Sequence, residues 1–532
     1  MTAGVNDRFD FTAPVPPVHQ LGAVHFIAIG GAGMSGVARL FLAAGVSVSG
    51  SDARDSATLR ALEAEGATVF VGQRADNLGA DVQTVVISSA IRETNPELAA
   101  ARERGLRVLH RAQGIAALLP GRSAVAVAGA NGKTTTSGML TTALQHSGAD
   151  PAYVLGSELT TPSGRGTNAA PGSGPFVIEA DESDGSFLTY RPQVAVVTNI
   201  KADHLDFYGD LATIEATFAT FAATIRPGGL LVAAADDPGA VALADRHRAA
   251  GGAVVTFGTS EAADVRLGDL APDAMTATAQ LTWQRDVGDV SAGTTRTLTV
   301  PMPGAHNLAN AAAALVAATA GLGQGLDAVL AGLAVYPGTH RRFELVGEAG
   351  GVRIVDDYAH NPDKVAAVVR AGRGLVDASD DAGDDAGDDA GATDSTAPTG
   401  IAAAVTDVPA APARRLVVVF QPHLFTRTRD FARDFAEGLS AADVVVLMDV
   451  YAAREDPLEG ISGATIADLV RGPEVHYVAD RDQVVAHVAD LARPGDLLLL
   501  VGAGDITELG APLLARLAAV TGADRDLEER LT

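Results

Sequence analysis

The chain has no cysteine, which excludes disulfides and thiolate metal sites. It also lacks any run of about 18 apolar residues, the length a membrane-crossing helix needs. Its first twenty residues carry Asp7, Arg8, Asp10 and the prolines Pro14, Pro16 and Pro17 where a secretory signal would have an apolar core. The expectation is a soluble cytoplasmic protein with no membrane insertion. Cations are scarce: 39 Lys+Arg against 65 Asp+Glu leave a formal net charge of −26. That balance argues against a nucleic-acid surface or binding to anionic membranes, while leaving room for a local phosphate pocket.

What is present is ordinary globular usage, 47% hydrophobic and 20% charged, over 532 residues. At roughly 150 residues per domain this length predicts three or four domains. Short β-branched runs such as 24-VHFIAI-29, 124-AVAVA-128, 194-VAVVTNI-200, 416-LVVVF-420 and 497-LLLLV-501 alternate with Gly-containing turns and Ala/Leu-rich helical stretches. That alternation predicts α/β domains with parallel sheets covered on both faces. Turn clusters at Pro120-Gly121-Arg122 and Tyr336-Pro337-Gly338 place boundaries after residues 122 and 336. The expected organisation is a disordered tail over 1–20, then domains over 21–122, 123–336 and 337–532. Within the third domain, 377-DASDDAGDDAGDDAGATDSTAPTG-400 and the Ala/Pro-rich residues to 413 have no apolar periodicity. They are expected to be a disordered acidic insertion, because they cannot bury enough surface to offset ordering entropy.

Two glycine-rich turns stand out. The first strand runs into Gly31-Ala32-Gly33-Met34-Ser35-Gly36 and then a helix, and a second strand ends at Asp52. This is the strand, G-x-G-x-x-G, helix order of a dinucleotide fold, in which a pyrophosphate sits at a helix N-terminus and the acid meets a ribose. NAD and a UDP-sugar share that pyrophosphate, so the motif leaves both open. The second turn, Gly129-Ala130-Asn131-Gly132-Lys133-Thr134-Thr135, also joins a strand to a helix. It is a shortened relative of the phosphate loop: backbone amides wrap phosphate oxygens, Lys133 adds a point charge and the Thr134 hydroxyl is placed for Mg²⁺. A dehydrogenase needs only the first turn. The pair points to ATP-driven chemistry on a nucleotide-linked substrate.

Carboxylates follow in the right places. The strand 175-PFVIEADESD-184 delivers Glu179, Asp181, Glu182 and Asp184 beyond its end, where α/β sheets bind ligands and where a magnesium nucleotide needs oxygen donors. After 194-VAVVTNI-200 come Asp203, His204 and Asp206, with His204 a candidate ligand for a second Mg²⁺.

Taken in order, GGAGMSG, SGSD, SSAI, HRAQ, GANGKTTT, EADESDGSF, TNIKADHLDFYG, PGAHNLANA, RRFE, DDYAHNP, FQPH, DVYAAREDP and VGAGDIT resemble the Mur ligases of peptidoglycan synthesis, in particular their alanine-adding branch. The resemblance covers nearly the whole chain apart from the tail and the acidic insertion. It implies three domains: a Rossmann-like N-terminal domain for the UDP-sugar, a central P-loop ATPase domain, and a Rossmann-like C-terminal domain for the amino acid. The activity it implies is ATP-dependent joining of L-alanine to the lactyl carboxylate of UDP-N-acetylmuramate through an acyl phosphate, with Mg²⁺, in a monomer or weak homodimer.

Residue by residue, the resemblance puts the ATP phosphates on Gly129 to Thr135 and the metal on Thr134, Glu179 and His204. His306, Asn307 and Asn310 would hold the adenine, with Arg342 and Asp357 also on the nucleotide. His360 and Arg427 would lie near the amino acid and the acyl phosphate, acting with Lys133 and His204. The sugar nucleotide would be held by Gly31, Ala32, Gly33, Met34, Ser35, Gly36, Asp52, Ser89 and His110. Three positions depart from the alanine-adding pattern: Asn131 stands where His is usual, Asn361 where a second His is usual, and Leu424 where many relatives have Arg. No lysine lies between His204 and Arg226, so the carbamylated lysine of sister ligases is not expected. The alternatives are a sister ligase that attaches a peptide to the same sugar nucleotide, a Rossmann oxidoreductase indifferent to ATP, and a silent nucleotide-binding regulator.

Overall fold

The apolar runs become strands because helices cover them on both sides. The computed structural model describes residues 6–161, 164–272, 275–384, 415–453 and 455–519. The chain forms two compact units, the first running to His340 and the second from Arg341. Among the described residues the first unit holds two large sheets and a two-stranded ribbon, and the second holds one sheet, giving an α/β architecture throughout.

The N-terminal sheet contains β1 (Ala23–Ile27), β2 (Val48–Asp52), β3 (Thr68–Val71), β4 (Val82–Ile87) and β5 (Arg107–His110) in the order 3-2-1-4-5, every pair parallel. Its order reverses beside β1, so the turn leaving β1 opens at the crevice where such sheets bind ligands. That turn feeds α1 (Ala32–Ala43). Further on, Ser56 caps α2 (Ala57–Ala64), accepting from Leu59 N–H, and Asn95 caps α3 (Pro96–Glu103) with proline at its first position. His110 ends β5 and begins α4 (Arg111–Ala117) in a capping box with Gln113.

The central sheet begins with β6 (Ala124–Ala128), all five residues buried, followed by α5 (Lys133–His146) and β7 (Ala152–Val154). A small ribbon of β8 (Thr160–Thr161) and β9 (Gly164–Arg165) comes next, then β10 (Ala169–Ala170), β11 (Phe176–Glu179), β12 (Val194–Val197), β13 (Leu230–Ala234), β14 (Ala253–Gly258), β15 (Val265–Ala271), β16 (Ala277–Trp283) and β17 (Thr295–Val300). The ten strands lie in the order 10-7-11-6-12-13-14-15-16-17. Strands β11 and β12 flank β6 in parallel register, which brings the carboxylate loop after β11 and the segment after β12 to either side of the second Gly-rich turn. Antiparallel β16 alternates buried and half-buried residues, unlike the continuous apolar runs of the parallel strands.

The second unit orders β18 (Glu344–Ala349), β19 (Val352–Asp357), β20 (Leu416–Phe420), β21 (Val444–Met448), β22 (Glu474–Val478) and β23 (Leu497–Val501) as 18-19-23-20-21-22, parallel except at the β18 edge. Its core packs Val417, Val419, Val446, Leu498 and Leu500 against Ile506 and Leu513. No helix among the described residues is long and apolar enough to cross a membrane.

One expectation is corrected. Residues 6–20 are not a disordered tail: Phe11 is 5% exposed, and the Phe9 and Phe11 rings lie 5.3 and 5.2 Å from the His110 ring. Two aromatic rings supply apolar area, and the neighbouring prolines lower the entropy lost on ordering. Residues 1–5 lie outside the described residues. So does most of the expected acidic insertion, over residues 385–413, while its first residues extend the helix Pro362–Asp384.

Candidate active site

The second Gly-rich turn ends at Gly132, with φ +87°. A Cβ there would lie 2.4 Å from Asn310 Oδ1, so both the backbone angle and the space demand glycine. The turn delivers Lys133 and Thr134 into the first turn of α5. Lys133 Nζ donates to Gly129 O at 2.7 Å and to Glu182 Oε1 at 2.8 Å. Thr134 Oγ1 donates to Glu179 Oε1 at 3.0 Å, and Glu179 Oε2 accepts from Gly156 N–H at 2.7 Å. The Tyr208 hydroxyl pins the Glu182 carbonyl. Burial disfavours the Lys133 ammonium, but Glu182, Asp181 and Glu179 together outweigh it and hold its pKa above the ordinary lysine value. Asp181 shows the converse: burial works against its charge, but Lys133, the Ser183 N–H, Arg111 and His204 keep its carboxyl below the usual range.

His204 sits at φ +54° ahead of the short helix Leu205–Tyr208, its own N–H donating to Asp203 Oδ1. It is among the groups that favour the ionised forms of both Asp181 and Glu182, so it belongs to the same electrostatic cluster. Among the described residues no three His, Asp or Glu side chains form a ready metal cage. The hydroxyl–carboxylate pair of Thr134 and Glu179, beside the buried Glu182 Oε2, which has no hydrogen-bond partner, is nonetheless an oxygen donor set of the kind Mg²⁺ takes when phosphate and water complete its shell.

The rest of the turn is braced from behind. The N–H groups of Ala130 and Asn131 go to Asn199, through its backbone O at 3.3 Å and its Oδ1 at 3.0 Å. Thr198 Oγ1 and Asn199 Nδ2 hold Asn131 O. These two amides therefore serve the loop's own shape, and the start of α5, with Thr135 buried behind it, carries the N–H groups left for an anion. Sequence reasoning passed over Asn199, although it lies two residues beyond a buried strand. Asn310 accepts from Thr136 Oγ1 at 3.2 Å and donates to Asn307 Oδ1 at 3.3 Å, so Asn310 braces α5 and Asn307 holds Asn310, while His306 on the same helix is exposed.

The first Gly-rich turn is built differently. Asp52 Oδ2 accepts from Gly30 N–H at 3.0 Å, so the acid expected at a ribose ties down the turn itself. Met34 and Gly36 face inward, and a Cβ on Gly36 would meet Ala169 at 2.8 Å. A Cβ on Gly33 would lie 2.3 Å from Arg111 Nη1. Arg111 thus lays a guanidinium on the turn, a residue not picked out from the sequence even though it follows His110. Ala32 O accepts from Asn168 Nδ2 at 2.8 Å, with Ser35 Oγ also on that carbonyl. Between this turn and residues 156–158 and 166–171 lies a cavity of about 950 Å³ lined by Gly30, Ser35, Gly156, Thr167, Asn168 and His340 among others. Ser89 and His110 are committed elsewhere: Ser89 Oγ lies 3.0 Å from His110 Nε2 and donates to Asp184 Oδ2 at 2.5 Å.

In the second unit, buried Asp357 accepts from the N–H groups of Phe343 and Ala359, both at 2.8 Å, and burial pushes its pKa up against the pull of Arg342. Arg342 lies over the Tyr358 ring at 5.1 Å. His360 Nδ1 is 2.9 Å from Tyr358 O, Arg427 reaches His360 O at 3.5 Å, and the His423 ring lies 5.9 Å from that of His360. Burial, then Lys364 and Arg427, push the His360 pKa well below its ordinary value, leaving a neutral imidazole. Leu424 sits at φ +72° with its N–H on Tyr451 O.

Family profiles match in the same order as these parts. Residues 23–122 match the Mur ligase family catalytic domain, 127–318 the Mur ligase middle domain, and 341–380 with 389–504 the Mur ligase glutamate ligase domain. The chain belongs to the Mur ligase family. Among its relatives, the UDP-N-acetylmuramate–L-alanine ligase of Kineococcus radiotolerans is 49% identical over 511 residues, covering 95% of this chain and 98% of the relative. The enzyme of the same name from Thermobifida fusca is 47% identical over 506 residues, covering 95% and 98%. Among solved Mur ligase structures, the UDP-N-acetylmuramate-alanine ligase of Thermotoga maritima superposes with a TM-score of 0.70 at 26% identity, covering 94% of this chain and 100% of that one. A murein peptide ligase from Psychrobacter arcticus shares the fold, with a TM-score of 0.60 at 22% identity over 93% and 99%.

Proposed function

We propose that this Mur ligase joins L-alanine to the lactyl carboxylate of UDP-N-acetylmuramate, with ATP converted to ADP and phosphate. The observation that carries the reading is the convergence of Lys133 and Thr134 with Glu182 and Glu179 at the ends of adjacent parallel strands. A lysine held charged by carboxylates is a phosphoryl-transfer charge waiting for its anion. When the triphosphate binds, its oxygens take over Lys133. The carboxylate oxygen of the substrate attacks the γ-phosphorus and ADP leaves. The α-amine of alanine then adds to the acyl carbon, loses a proton, and expels phosphate as the amide forms. The N-terminal domain's share is positioning: Gly33, Arg111 and the amides opening α1 hold the diphosphate, and the cavity beside them takes the sugar.

Thr134 and Glu179 would hold Mg²⁺, with His204 nearby, and the ion would supply charge neutralisation on the transferring phosphoryl group. Arg342 and Asp357 for the nucleotide, and His360 and Arg427 for the amino acid, are roles carried by the family resemblance. The domain boundaries after residues 122 and 336 belong to the same proposal. The test is ADP release with UDP-N-acetylmuramate against a panel of L-alanine, glycine, L-serine and a wall tripeptide. Release dependent on L-alanine is expected. Release with the tripeptide but none of the single amino acids would move the chain to the peptide-attaching branch.

A further inference from the structure

The residues ahead of β1 precede the segment that matches the family, yet they touch both domains of the first unit. Arg8 Nε pairs with Glu93 at 2.7 Å and its Nη1 donates to Ser89 O at 3.3 Å. Gln113 Nε2 donates to Asp10 O at 3.1 Å. Two residues later the anchor changes domain: Arg191, just before β12, donates to Thr12 O at 2.7 Å. Between these anchors the Phe9 and Phe11 rings close over His110, leaving it 2% exposed.

What they cover is a polar chain between the same two domains. His110 Nδ1 accepts from Ala112 N–H at 3.2 Å, so the ring proton belongs on Nε2, directed at Ser89 Oγ. The Ser89 hydroxyl then has its own proton for Asp184, at 2.5 Å. Asp184 closes the loop that starts with Glu179 and carries Asp181 and Glu182. The order is therefore strap, His110, Ser89, Asp184, carboxylate loop, Lys133.

We propose that residues 6–13 are a latch that seats the N-terminal domain on the carboxylate loop of the central domain, so that the sugar-diphosphate pocket and the phosphate loop stay in register. The inference rests on the ligase reading for its kinetic consequence, though not for its geometry. Burial also pushes the His110 pKa down to about 4, against the pull of Asp184 and with Arg111, Asp181 and Arg8 around it, so the imidazole stays a neutral one-proton donor at neutral pH. Ser89, His110 and Phe11 are positioning residues: they act through Asp184 and the loop.

The test uses the full chain, whose lack of native cysteine makes pairwise spin labelling direct. Labels go on Glu103→Cys in the N-terminal domain and Ala249→Cys in the central domain, both exposed. The strap is then altered by deleting residues 1–13 or by Phe9→Ala with Phe11→Ala, and Phe11→Leu serves as the conservative rescue. The unaltered chain should give one narrow distance distribution. Both strap variants should broaden it and lower kcat at least tenfold with KM for ATP within twofold, and Phe11→Leu should restore both. Strap variants that keep the narrow distribution, or keep kcat within twofold of the parent, would overturn the proposal. So would loss of a native circular-dichroism spectrum in every strap variant, because that would make the strap part of the core and not a latch. If the unaltered chain releases no ADP with UDP-N-acetylmuramate and L-alanine, the ligase reading falls while the distance distributions still judge the latch.

Discussion

The two glycine-rich turns are written in nearly the same way, a buried strand, a run of small residues and a helix, yet their electrostatics are opposite. The first is closed by an acid: Asp52 takes the Gly30 N–H, and the nearby cation, Arg111, reaches in from the start of another helix. The second carries its own cation on the helix it opens, and three carboxylates from the adjoining loop hold that cation charged. Backbone amides suit both turns to phosphate. Only the second stores positive charge next to oxygen donors, which is what moving a phosphoryl group requires. The first is a place to hold a diphosphate and the second a place to break one.

The hardest test of that contrast is Lys133→Ala. If charge on the second turn drives transfer, kcat for ADP release should fall by about 10²–10³-fold or more, as when one preorganised transition-state donor is removed, while KM for UDP-N-acetylmuramate stays near that of the parent. Steady-state assays varying one substrate at a time separate the two parameters. Near-normal turnover in this variant would erase the distinction between the turns.

The mirror-image change is Gly33→Val. Its Cβ would start 2.3 Å from Arg111 Nη1, so the guanidinium must leave the first turn. Binding weakened by about 1.4 kcal/mol is tenfold in affinity, and an effect of about that size is expected in KM for UDP-N-acetylmuramate, with KM for ATP unchanged. An equal rise in both would mean that the first turn is not a separate holding site.

How far the sequence foretells this depends on the range of the interaction. Both turns, Lys133, Thr134 and the carboxylates after β11 are legible because the strand–turn–helix grammar is local and the chemistry of Gly, Lys and Thr at those spacings is narrow. Asn199, Asn310 and Arg111 are not, since each acts across a distance in sequence that only the fold closes: Asn310 meets Thr136 174 positions away. The strap is the extreme case. Phe9 and Phe11 lie among prolines and charges with no period to read, so composition predicted disorder where two rings find a histidine. Asp52 was expected to face a ligand because strand-end acids often do; here the turn's own N–H reaches it first. Ser89 and His110 were expected on substrate from the family resemblance alone, and the pairing with Asp184 became visible only once the two domains were side by side.

The effect expected to touch turnover least is one on stability, and it concerns what lies under the first turn. Glu97 is fully buried and accepts from Ser51 Oγ at 2.6 Å and Asn77 Nδ2 at 2.6 Å, with His25 Nε2 at 3.7 Å. Ser51 is the neighbour of Asp52, so this cluster sets the floor on which Gly30 is held. Burial works to raise the Glu97 pKa, but the contacts from His25, Ser51 and Asn77 outweigh it and leave it below the ordinary 4.5. A depressed carboxyl pKa stabilises the fold fully above the unfolded value and loses that contribution as pH falls through the folded value. Glu97→Gln should therefore cost about 1–3 kcal/mol at pH 7, the range for an unsatisfied buried group, and the gap from the parent should narrow below about pH 4.5. Denaturant melts of both proteins across pH 3.5–7 measure it. A gap that stays constant over that range would mean the charge on Glu97 does not support the first turn, and that the two turns differ in their cations alone.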